Sequence, residues 1–135
     1  MAQFEQVKVG DVIEARAFTA SNVSLFMYNA AIWNPHRIHY DETYTTEVER
    51  HPGVVIDGPL QGDWLSQVVT EWMGETGRLV SFEYANRTAA YLGETLYSGG
   101  TVSEVDEAAR TVTLELHIRN EAGEITSPGK AVVAL

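Results

Sequence analysis

Between Trp33 and Asp41 the chain reads Trp-Asn-Pro-His-Arg-Ile-His-Tyr-Asp, gathering two histidines, an arginine, an amide and a carboxylate into one short stretch. Histidine can take and return a proton near neutral pH, so His39 or His36 could serve as a general acid/base. Asn34 could hold a water and orient an imidazole by hydrogen bonding. Such a density of polar side chains in a stretch without periodic pattern is often a site rather than a connector. The same residues would also suit a plain loop anchored by Trp33 and Tyr40, with both histidines exposed. Two histidines three apart could suggest a metal, but the chain has no cysteine and no clear third ligand, so no metal is expected.

A second position has its own physical argument. Asp57-Gly58-Pro59 precedes a long apolar pattern, which makes Gly58 the expected N-cap and Pro59 the first helical residue. An N–H at the start of a buried helix points outward at the positive end of the dipole and can meet a ligand oxygen. A glycine needed only for a tight turn is the alternative.

These positions must be held by elements that the periodicity reveals. Leu60, Trp64, Val68 and Trp72 recur every four residues, with Leu65, Val69 and Met73 in a row beside them. The apolar surface is wider than one stripe, so this helix should be buried on most sides, ending at Gly74 or Gly77. A shorter helix is expected near residues 22–32, capped by Thr19 or Ser21. The later chain reads as sheet. Val112, Leu114, Leu116 and Ile118 alternate with Thr113, Glu115, His117 and Arg119, the period of a strand with one buried face. Strands near 79–88, 95–105, 110–119 and 124–134 would form an antiparallel meander, joined by one near 11–18. Gly99-Gly100 within a strand suggests a bulge or a close backbone approach. His117 falls on the polar face and should be solvated.

Composition narrows the function classes. At 135 residues, with no repeat and no linker-like tract, one domain over residues 1–135 is expected. Hydrophobic residues at 44% and charged residues at 21% are an ordinary globular balance. The net charge of −10 and the absence of any basic cluster argue against nucleic acid as a partner. No signal peptide and no apolar run of roughly 20 residues is evident, so no membrane partner and a soluble cytoplasmic location are expected.

The order of elements, with a sheet that must curl around one long helix, is α+β and fits a hot-dog fold. Asn34-Pro35-His36-Arg37-Ile38-His39-Tyr40-Asp41, followed by Gly53-Val-Val-Ile-Asp-Gly-Pro-Leu60, resembles MaoC-like hydratases and dehydratases. The similarity is greatest to the 3-hydroxyacyl-thioester dehydratases and mesaconyl-CoA hydratases that carry His-Arg-Ile-His-Tyr-Asp. Tyr91-Leu-Gly-Glu-Thr-Leu96, Arg119-Asn-Glu-Ala-Gly-Glu124 and Gly129-Lys-Ala-Val-Val133 resemble later family motifs in the same order.

The resemblance implies addition or removal of water across the 2,3-bond of an acyl-CoA or acyl-carrier thioester. It implies (R)-stereochemistry and no tightly bound cofactor. Placing the family histidine on His39 puts Asn34 where the family has Asp, five residues earlier. An amide cannot take a proton, so His39 is expected to serve both transfers, with Asn34 orienting it. Asp41, Asp57 or a partner's group is the alternative source of a carboxylate. Gly58 N–H would bind the thioester oxygen. Family sites lie where two hot-dog units meet, which implies a homodimer or a heteromer with another hot-dog subunit. Two other functions remain open. A thioesterase could use Asp57 or Asp63, and a non-catalytic subunit could complete a partner's acyl pocket.

Overall fold

The computed structural model describes residues 1–135. Strand β1 (Val12–Thr19) leads into helix α1 (Asn22–Ala31), whose Ser21 accepts a hydrogen bond from Ser24 N–H while Ser24 answers to Ser21 N–H. A 3-10 turn (Arg37–His39) and a six-residue helix α2 (Glu42–Glu47) follow. Helix α3 (Gly58–Met73) and strands β2 (Arg78–Tyr84), β3 (Thr95–Asp106), β4 (Thr111–Arg119) and β5 (Ile125–Ala134) complete the order.

All strands join one antiparallel sheet in the order β1-β3-β4-β5-β2. The expected four-strand meander is therefore corrected. Strands β3, β4 and β5 are sequential neighbours, but β2 lies outside β5 rather than beside β3. Strand β2 also ends at Tyr84, so residues 85–88 are not part of it. They run toward the start of α3, with Arg87 and Thr88 N–H donating to the Thr126 carbonyl. A register shift between Leu79 and Ser81 turns Val80 outward, 47% exposed, while Phe82 and Tyr84 pack on the core.

The concave face of the sheet holds α3. Val112, Leu114, Leu116 and Ile118 are fully buried, as their alternation requires. Leu65, Val68 and Val69 meet them from the helix, while Asp63, Gln67 and Thr70 form its solvent stripe. This is the α+β hot-dog arrangement. The glycine pair in β3 keeps unbroken register with β4, Gly99 facing His117 and Gly100 facing Leu116, but lies opposite a bulge in β1, where the pairing shifts between Ile13 and Arg16. It is also a close approach: a Cβ on Gly100 would stand 2.5 Å from the Glu115 carbonyl oxygen. His117 is half-buried rather than freely solvated. Burial, then the charge of Arg119, holds its pKa below the usual histidine value.

Candidate active site

Residues 54–56 run extended ahead of α3 and are clamped on both sides. Val55 N–H donates to the Ile38 carbonyl at 2.9 Å. On the other side, Ile56 N–H donates to the Ala90 carbonyl and Leu92 N–H to the Val54 carbonyl, both at 2.8 Å. The Tyr91-Leu-Gly-Glu turn makes this possible. Gly93 adopts φ +92°, a conformation that favours glycine, and Glu94 Oε2 accepts from Tyr91 N–H at 2.9 Å.

His39 ends the 3-10 turn and is buried. Its Nδ1 lies 2.8 Å from the Val55 carbonyl oxygen. A carbonyl can only accept, so Nδ1 carries the proton and Nε2 is left with a lone pair in the neutral ring. Nε2 stands 3.5 Å from Asp57 Oδ2.

Asp57 occupies the N-cap position of α3, which corrects the expected helix start: the cap is Asp57, and Gly58 and Pro59 are the first two helical residues. Its side chain does not cap the helix. Pro59 has no N–H to be capped, and the carboxylate turns the other way. It is fully buried, accepting from Asn29 Nδ2 at 2.9 Å on Oδ1 and from Asn34 Nδ2 at 3.3 Å on Oδ2. Burial is tolerable because both oxygens find amide donors.

Of the residues singled out from sequence, His39 and Asn34 thus converge on Asp57, and Gly58 adjoins it. Asn34 makes no hydrogen bond to the His39 ring. Its Nδ2 reaches Asp57 and its Oδ1 accepts from His36 N–H at 3.1 Å, closing the loop over Pro35. His36 is exposed, its ring edge-on to His39 with centroids 5.7 Å apart. Asp41 stays outside the site. It caps α2 through Tyr44 N–H and pairs with Arg37, and those two contacts, in that order of weight, hold its pKa down. His51 packs against Tyr91, with ring centroids 6.2 Å apart.

Asn29 was not singled out. It sits one turn after Leu25, and these two are the buried residues of α1. A lone polar side chain on the inward row of a helix is the signal that could have found it. Its neighbour Tyr28 faces Asp63. Burial first, then the charge of Asp63, pushes the phenol up to about 12, so it remains a neutral donor.

Two recesses flank Asp57. One, of about 370 Å³, is lined by Asn29, Ala30, Trp33, Asn34, Pro35 and Tyr40 and is largely apolar. Trp33 is 92% exposed there and holds φ +56°, a region that L residues seldom occupy. The other, of about 240 Å³, includes Gly58, Gln61, Asn86 and Thr88. Asn86 Nδ2 fills the place a side chain at Gly58 would take, and its Oδ1 lies 3.0 Å from Ser127 Oγ. A buried proton acceptor, a carboxylate beside it and open amide donors next door suit chemistry that shuttles a proton while charge builds on an oxygen.

Comparison with known proteins identifies the family and the fold. Residues 3–92 match the family described as Htd2, hydroxyacyl-thioester dehydratase type 2. A mitochondrial hydroxyacyl-thioester dehydratase type 2 of Schizosaccharomyces pombe is 42% identical over 43 residues, 32% of this chain and 14% of that protein. A mesaconyl-C(4)-CoA hydratase of Chloroflexus aurantiacus is 50% identical over 36 residues, 27% of this chain and 13% of that protein. The matched stretches are thus a small part of those longer relatives. Among solved structures, the (R)-hydratase from A. caviae involved in PHA biosynthesis superposes with a TM-score of 0.89 at 16% identity, over 97% of this chain and 98% of that one. Other structural neighbours are complexes, including ChsH1-ChsH2 and HadBC of Mycobacterium tuberculosis. No helix is long and apolar enough to cross a membrane. The family match covers two thirds of the chain, and the chain belongs to the hydroxyacyl-thioester dehydratase type 2 family.

Proposed function

We propose that this chain adds water to a 2-enoyl thioester, or removes it from the (R)-3-hydroxyacyl thioester, with His39 as acid/base. The observation that carries this reading is the His39–Asp57 pair. One imidazole nitrogen is committed to the Val55 carbonyl, and the other faces a fully buried carboxylate.

In hydration, His39 Nε2 takes a proton from water as its oxygen bonds to C3. The π electrons move toward C2 and the thioester carbonyl, and the proton is then returned to C2. Asp57 stabilises the imidazolium that exists between these events. Asn34 holds Asp57 and, through it, the ring. Gly58 N–H, with no intrahelical acceptor at the first helical position, and Asn86 Nδ2 beside it would receive the charge building on the thioester oxygen. The apolar recess at Ala30, Trp33 and Tyr40 would take the acyl chain.

The working unit is taken to be a pair of hot-dog domains, as homodimer or heteromer, because β1 and β2 are open sheet edges. Purified protein should hydrate a 2-enoyl-CoA, read as loss of the conjugated thioester's ultraviolet absorbance. Asp57 beside the central helix would also suit a thioesterase. Release of free thiol with the enoyl chromophore intact would decide for that function. Silence on short, long and bulky enoyl-CoAs would decide for a subunit that completes a partner's pocket.

A further inference from the structure

Two buried side-chain atoms in this molecule have no hydrogen-bond partner, Asn29 Oδ1 and Ser98 Oγ. Only Asn29 adjoins the His39–Asp57 pair. Its amide nitrogen uses both hydrogens, one on the Leu25 carbonyl at 2.8 Å and one on Asp57 Oδ1 at 2.9 Å. Those two acceptors fix which end of the amide is which. Reversing it would set its oxygen against a carbonyl and a carboxylate. Asn29 Oδ1 is therefore a committed acceptor, itself buried, on a residue that helps line the apolar recess beside Trp33 and Tyr40. A buried carbonyl without a donor is costly, and in a site the compensating donor arrives with the ligand.

Building on the hydratase reading, we infer that Asn29 Oδ1 accepts a hydrogen bond from the reacting oxygen: the attacking water in one direction and the substrate's 3-hydroxyl in the other. Water brings two hydrogens to C3. One leaves for His39 Nε2 as the C3–O bond forms. The other stays on oxygen throughout and becomes the product's hydroxyl hydrogen. A base can receive only the first, so a second acceptor is needed to aim the lone pair at C3. Asn29 supplies it without competing for the proton, because an amide oxygen is not basic enough to remove it. Asn29 is then a catalytic residue for the oxygen, as well as a holder of Asp57.

The test separates these two roles. In a His39→Gln background glutamine keeps a donor for the Val55 carbonyl and turnover is silenced. There, binding is compared for the (R)-3-hydroxyacyl-CoA and the saturated acyl-CoA of whichever chain length the native protein hydrates fastest. The hydroxyl ligand should bind about 3–10-fold tighter, the range of one net hydrogen bond. Adding Asn29→Ala should bring the two affinities within about twofold, while Asn34→Ala, which likewise removes a donor to Asp57 and also the acceptor of His36 N–H, should preserve the preference. If alanine at 29 leaves the chain unfolded, Asn29→Leu, closer in shape, takes its place. Equal weakening of both ligands by the Asn29 variant, with the preference intact, would overturn the inference and leave Asn29 a structural residue. Equal affinities before any change at Asn29 would overturn it too. Absence of hydration at every chain length would instead remove the parent reading, and this inference with it.

Discussion

Replacing Asp57 by asparagine keeps the shape of the side chain and removes its charge. In the mechanism above that charge matters once His39 has taken the proton. At the 3.5 Å separation, a carboxylate and an imidazolium attract by about 4–5 kcal/mol at an effective dielectric constant of about 20. Full loss of that term corresponds to a fall of roughly 10³-fold in kcat. Stability should fall as well. The oxygen of the new amide would keep the Asn29 donor, but its NH₂ would then face Asn34 Nδ2, which now stands 3.3 Å from a carboxylate oxygen. Two facing donors in a buried place cost about 1–3 kcal/mol. The assay is enoyl-CoA hydration by ultraviolet absorbance, with circular dichroism to establish folding and denaturant titration to read the stability loss. His39→Ala should lose activity to a similar degree, and the double variant little more, because the pair acts as one unit. A folded Asp57→Asn protein within about tenfold of native turnover would refute the assignment of the carboxylate, since tenfold is only about 1.4 kcal/mol.

Three further outcomes follow from the geometry. Asn34→Asp restores the acidic residue of the family pattern, but it would place a second carboxylate against Asp57 where a donor now sits. Turnover and thermal midpoint should both drop, and a rise in activity would show that a carboxylate at 34 is what the site lacks. Gly58→Ala should fold, because the group its methyl displaces is the exposed, movable Asn86 amide. Its kcat should fall about 10-fold or more if Asn86 Nδ2 assists the thioester oxygen, and an unchanged kcat would remove Asn86 from the proposal. His117 has a folded pKa below its ordinary value of 6.5. The unfolded chain then binds the proton more readily, so native stability declines as pH falls through that value. His117→Gln should narrow the difference in denaturation midpoint between about pH 7.5 and 5.5, and an equal difference in both proteins would contradict this sign.

How legible all this was depended on whether a feature is local. The alternation along Val112 to Ile118 states which face of β4 is buried, and the paired rows from Leu60 to Met73 state that α3 lies in the sheet. Strand order is different. Period-2 patterning puts Val80, Phe82 and Tyr84 on one inward row, which the register shift breaks at Val80. It does not say that β2 pairs with β5, which is settled by the chain crossing beyond α3. Helix α2 escaped notice because Glu-Thr-Tyr-Thr-Thr-Glu is poor in helix formers; its cap at Asp41 and the Thr45 contacts to the Arg37 and Asp41 carbonyls hold it. The site shows the same division. His39 was recognisable from its motif. Asp57 stood only as one of several alternative carboxylates, beside Asp41 and a partner's group, because nothing in its spacing from Asn29, Asn34 and His39 declares that the four meet.

Val55, Asp57 and Gly58 carry, almost one after another, the carbonyl that holds the imidazole, the carboxylate beside it and the amide at the helix start. Three chemical parts therefore ride on a single short backbone segment, stitched to Ile38 on one flank and to Ala90 and Leu92 on the other. Such a site has no way to come apart by degrees. On warming, the parts keep their mutual spacing until the stitches fail, and then all are lost together. The carboxylate and the helix-start amide should therefore be lost in one step, seen as a single break in the Arrhenius plot of the rate.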